Sequence, residues 1–94
     1  MIKIKEKELE SILIKFRNSP IRLAFTGALI GMIEFKESKC KFIRKCNKLS
    51  IKDNKSDSKL NIDTNPLYKI EINEDYTIIK LYLDYNLKVT IEKI

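Results

Sequence analysis

Histidine is absent from this 94-residue chain, and glycine, proline and cysteine occur only twice each. Each shortage removes a class of chemistry. Without histidine the commonest general acid–base is missing. Gly27 and Gly31 have neither the G-x-G-x-x-G nor the P-loop spacing that cradles phosphates. No serine sits in a nucleophile elbow. Asp53, Asp57 and Asp63 lack the spacing of a calcium loop and read as solvated turn residues, as do Glu71, Glu74 and Asp75. The expectation is a non-catalytic protein with no cofactor and no metal.

The two cysteines, Cys40 and Cys46, have no histidine to help them hold zinc. Six residues of strand span roughly 20 Å, which excludes a disulfide within one strand. Two reduced thiols are expected. Long apolar runs are equally scarce. The single one, Pro20 to Lys36, contains Arg22 and Glu34 and falls short of the ~20 residues a membrane helix needs. Met1 to Lys5 carries neither the apolar core nor the cleavage site of a signal peptide, so a cytoplasmic location is expected.

What is present is patterning. The chain is of single-domain length, 44% hydrophobic and 34% charged, a globular composition. Leu9, Ile12, Leu13 and Phe16 recur at helical spacing, which predicts an amphipathic helix over Glu6 to Arg17. Asn18-Ser19-Pro20 stops it. Met1 to Lys5 alternates isoleucine with lysine and suits a short strand at a sheet edge. Pro20 to Lys36 reads as strands, with Thr26-Gly27 as a two-residue turn or Gly27 as a bend. A helix is the competing reading, against which two internal glycines count. Glu37 to Lys48 reads as a solvated strand or loop, with a short helix as the alternative.

Parity fixes the later hairpins. A loop of Asn54 to Asp57 sets Leu49 opposite Ile62 and Ile51 opposite Leu60. A Glu74-Asp75 turn sets Ile70 opposite Ile79. A loop of Asp84, Tyr85 and Asn86 sets Leu83 opposite Leu87, Leu81 opposite Val89 and Ile79 opposite Ile91. The predicted fold is α+β and mainly β: an N-terminal helix, then an antiparallel meander of six or seven strands forming a curled sheet or small open barrel. Its core comprises Leu23, Phe25, Ile33, Ile70, Ile79, Leu81 and Val89, covered by Leu9, Leu13 and Phe16.

The net charge is +6, and of 19 Lys and Arg residues only Arg17, Arg22 and Arg44 are arginine. Isoleucine, lysine and asparagine share A/T-rich codons, so base composition alone produces such an excess. The clustering is more informative. Lys36, Lys39, Lys41, Arg44, Lys45 and Lys48 fall within thirteen positions around Phe42, and cations that neutralise phosphates beside an aromatic that stacks on a base suit RNA or single-stranded DNA. The competing reading buries Phe42 in the core.

The order of helix, SPIRLAFTGALIGMIEF and CKFIR resembles the opening of Sm-like RNA-binding proteins, and KLNIDTNPLYKIEI is similar to their closing strand pair. The resemblance covers about half the chain. It implies a strongly bent small barrel and a ring oligomer. It carries over no RNA-contacting residue, because Lys36-Glu37-Ser38-Lys39 stands where the family has Asp and Asn, and Tyr76 to Ile94 is additional. The alternative function class is a protein-interaction module, such as a small inhibitor or adaptor of the kind mobile elements encode. It would bind a partner or itself through a free sheet edge, for which Leu87 to Ile94 is the sequence's candidate.

Overall fold

The structure is a computed structural model that describes residues 1–43, 47–84 and 86–94; of residues 40–43 it describes the backbone. Among the described residues nine strands and one α-helix follow in the order β1 (Ile2–Ile4), α1 (Glu6–Leu13), β2 (Ile21–Thr26), β3 (Gly31–Phe35), β4 (Ser38–Ile43), β5 (Lys48–Asp53), β6 (Lys59–Asp63), β7 (Lys69–Ile72), β8 (Ile78–Leu83) and β9 (Leu87–Lys93). They build a six-stranded sheet, ordered β1-β7-β8-β9-β2-β3, and a three-stranded sheet, ordered β4-β5-β6. The protein is α+β and mainly β, and no barrel closes among the described residues. No helix there is long and apolar enough to cross a membrane.

The helix forms where its spacing predicts. The Glu8 carboxylate accepts the Lys5 N–H at its first turn, which satisfies one of the donors that a helix start leaves open. Ile14–Phe16 tightens into a 3-10 turn. Leu9, Ile12, Leu13 and Phe16 are all buried. Asn18 ends the segment in the left-handed region. Its N–H donates to the Ser38 carbonyl at 2.8 Å, which ties the helix exit to the second sheet.

Odd-numbered residues of β8, β9 and β2 supply the core of the large sheet. Ile79 lies opposite Ile91, Leu81 opposite Val89 and Leu83 opposite Leu87, as parity predicts. On its other side β9 pairs with β2, which sets Leu23 opposite Ile91 and Phe25 opposite Val89. In the small sheet, Leu49 meets Ile62 and Ile51 meets Leu60 in the register read from the sequence. The apolar residues of both sheets and the helix form one continuous core.

Several expectations are corrected. The order is no simple meander, because β9 sits between β8 and β2; the C-terminal strand is interior and not an edge. The chain from Gly27 to Ile30 is a four-residue loop, not a two-residue turn. Ile33 is 39% exposed because β3 is an edge strand with no neighbour beyond it. The β7–β8 register is displaced by two residues, with Ile70 opposite Leu81 and Ile72 opposite Ile79. Asn73 causes that shift. Its side-chain oxygen accepts the N–H groups of Thr77 and Ile78, both at 2.9 Å, and stabilises a four-residue loop over Glu74 to Thr77. β6 and β7 belong to different sheets, so the expected closing strand pair is absent. Residues 38–43 form a strand, which is the first reading of that segment and not its helical alternative.

Two carboxylates read as solvated are not. Glu71 is half-buried and accepts the Tyr82 hydroxyl. That bond, helped by the Lys69 ammonium, lowers the Glu71 carboxyl from its ordinary value against the opposing effect of burial, and it raises the Tyr82 hydroxyl. Asp53 is only 4% exposed. It accepts the N–H of Lys55 at 3.0 Å, Lys36 at 3.1 Å and Glu37 at 3.2 Å, and the Ser56 hydroxyl at 3.2 Å. It therefore pins the β3–β4 turn to the β5–β6 loop.

Two tests follow from this packing. A β-carbon on Gly27, whose φ is +105°, would lie 1.6 Å from the Asn86 carbonyl oxygen, so the β2–β3 and β8–β9 loops touch there. Gly27→Ala is expected to lower stability in urea by well over ~1 kcal/mol, since strain and clash act together; an unchanged midpoint would remove that contact from the account. For Asp53, the Lys55 N–H is the leading influence that lowers its carboxyl, joined by Lys36, Glu37 and Ser56 against burial. A carboxyl lowered in the folded state adds stability above its unfolded value and loses it as pH falls toward the folded one. Stability should therefore decline from about pH 5 downward. Asp53→Asn should be less stable at neutral pH with a shallower acid decline; an acid decline parallel to wild type contradicts this role.

Candidate nucleic-acid interface

The interface is built by strand alternation in the small sheet. Leu49, Ile51 and Asp53 of β5 turn inward and are buried, so Lys48, Ser50 and Lys52 take the opposite face. Register then sets the rows. Lys39 of β4 lies opposite Lys52 of β5, and Lys52 lies opposite Lys59 of β6. All three are exposed. With strands roughly 4.8 Å apart, three ammonium-bearing side chains cross the sheet in about 10 Å. The next row runs Lys41, Ser50 and Asn61, and the last runs Ile43, Lys48 and Asp63.

Like charges directly opposite one another destabilise a sheet, and opposite charges stabilise it. Two rows on the outer face of the large sheet follow that preference, and a third, Lys69, Tyr82 and Lys88, separates its lysines with a tyrosine. Lys3, Glu71 and Lys80 alternate in sign along one row. Glu92, Arg22 and Glu34 alternate along another, with Arg22 bonded to Glu34 at 3.0 Å. In the small sheet Lys48 faces Asp63, but the row of Lys39, Lys52 and Lys59 carries only lysine, and no carboxylate among the described residues pairs with any of the three.

The residues expected from sequence divide as follows. Lys39 stands on the lysine row. Lys36 is exposed in the turn before β4, its N–H held by Asp53. Lys48 is half-buried at the start of β5, opposite Asp63. Lys41 and Phe42 pair through their backbones with Ser50 and Leu49, and their side chains are outside the described residues. Arg44 and Lys45 lie outside the described residues altogether, as does Cys46. Lys52 and Lys59 were missed, although the hairpin register read from sequence already set them opposite each other.

Other chemistry is limited. No cluster of three His, Cys, Asp or Glu residues able to hold a metal occurs among the described residues. The Tyr82–Glu71 pair is extended by Lys69, whose ammonium lies 3.8 Å from Glu71 and 4.9 Å from the Tyr82 ring centre. These contacts lie within the large sheet's own outer face and hold it together. No family model matches the chain, and no curated protein or solved structure matches it either.

Proposed function

We propose that this is a non-catalytic binding protein that takes RNA or single-stranded DNA across the outer face of β4, β5 and β6. The observation that carries the reading is the Lys39–Lys52–Lys59 row. A sheet that sets three cations abreast without a counter-ion gains when a polyanion supplies one. Codon bias explains why lysine is common. It gives no reason for three lysines to stand directly opposite one another in the small sheet while no two cations do so among the described pairs of the large one.

The mechanism is electrostatic. Each lysine that neutralises a phosphate releases a condensed counterion, so affinity is gained mainly from salt displacement and carries little sequence preference. Ser50 and Asn61, in the neighbouring row, offer uncharged hydrogen-bonding groups to sugar or base edges. Lys36 and Lys48 extend the basic surface beyond the row at either end of the segment.

The test is a salt titration of binding to labelled poly(U) and oligo-dT. Each phosphate contact contributes a slope of about −0.7 in log K against log salt. Replacing Lys39, Lys52 and Lys59 with glutamine should flatten the slope by about two units. The same change at Lys3, Lys80 and Lys88 removes equal charge from the large sheet, where no two lysines stand directly opposite each other, and should leave the slope nearly intact. Equal loss from both triple variants, or no binding by the wild type at low salt, overturns the proposal in favour of the protein-interaction module.

A further inference from the structure

Four strands end the two sheets, and their edges are not alike. β1 is three residues long and carries Lys3. β4 carries Lys39 and Lys41, and β6 carries Lys59 and Asp63. Short length and charge, lysine above all, are the devices that keep sheet edges from pairing. β3 has neither device. It is five residues, GMIEF, with no lysine and no proline, and its one charge, Glu34, is already bonded to Arg22. Beside it the apolar side chains are open: Ile30 is 84%, Met32 62% and Leu29 55% exposed. The free side of β3 opens on an apolar groove of about 600 Å³, whose floor includes Phe25, Leu83 and Leu87 and whose far wall is β6.

We infer that β3 is the interface of a two-fold homodimer, in which the β3 strands of two copies pair antiparallel and the exposed residues around Ile33 enter each other's grooves. The occupant is chosen by self-complementarity. A two-fold antiparallel pair centred on Ile33 sets Glu34 opposite Met32 of the second copy; one centred on Met32 sets it opposite Ile30. In either register no like charges face each other, so the strand suits a copy of itself. The same operation at β4, centred on Cys40, opposes Lys39 to Lys41 of the second copy. The pairing joins the two six-stranded sheets into one and removes from water the apolar side chains that β3 leaves uncovered.

Sedimentation equilibrium of the full chain tests this, run with a reductant and at high salt so that neither a thiol bridge nor a nucleic acid links the copies. The wild type should be dimeric at micromolar concentration. Met32→Glu, on the sheet's outer face where folding tolerates it, sets a carboxylate opposite Glu34 of the second copy in one register and opposite its own counterpart in the other, and should shift the dissociation constant at least tenfold toward monomer; Ile30→Asn, which removes apolar area beside β3, should weaken the dimer as well. Ile14→Lys, an equally exposed apolar position on the helical segment, should leave the dimer intact and serves as the control. A wild type that stays monomeric as concentration rises overturns the inference and leaves the edge to some other strand. So does a dimer that survives both substitutions beside β3 with unchanged dissociation.

Discussion

The pairing of β9 with β2 is the constraint on which the architecture rests. It brings the last strand of the chain against the first long one, with Leu23 beside Ile91 and Phe25 beside Val89. Without it the β2–β3 hairpin and the β7–β8–β9 meander would be two small sheets, each with an open face. With it they share one apolar face large enough for the helix and the small sheet to cover. The contact joins positions far apart in sequence, so its loop-closure cost must be met before packing rewards it. The same register places Gly27 against the Asn86 carbonyl, which locks two loops into one end of the sheet.

A second set of contacts fixes the small sheet relative to the large one. The buried Ser38 hydroxyl lies 2.7 Å from the Phe16 carbonyl and 2.9 Å from that of Ser19. Asp53 gathers four donors from the turns on either side of the sheet. Both groups hold the inner face of β4 and β5 in place, and strand alternation then leaves the lysines on the other. The lysine face therefore follows from what the core requires. It needs no dedicated loop, and a dimer built through β3 would present two such faces to one strand of nucleic acid.

Parity made much of this legible from sequence. In the hairpins of β5–β6 and β8–β9 an apolar face is buried, and a slip of one residue would turn it to water; only one loop length suits. The β7–β8 loop escaped because a slip of two keeps parity. The choice there falls to the Asn73 side chain, which periodicity does not weigh. The β2–β9 pairing has no local signature, and a strand at the end of the chain reads as an edge when its distant partner is unknown. Ile33 has the parity of a core residue and lacks the neighbouring strand that would bury it. The basic cluster was visible as a run of lysines, but a run is not a face. Two of the three lysines in the row come from β5 and β6, outside that run.

The account stands or falls on where a polyanion touches the protein. Backbone amide chemical shifts, followed by NMR while poly(U) is titrated into the full chain, locate it directly. The prediction is that the largest shifts cluster on Lys39, Ser50, Lys52, Lys59 and Asn61, with Lys80, Thr90 and Glu92 little changed. Shifts concentrated on the outer face of the large sheet, or spread evenly over every lysine, would contradict it.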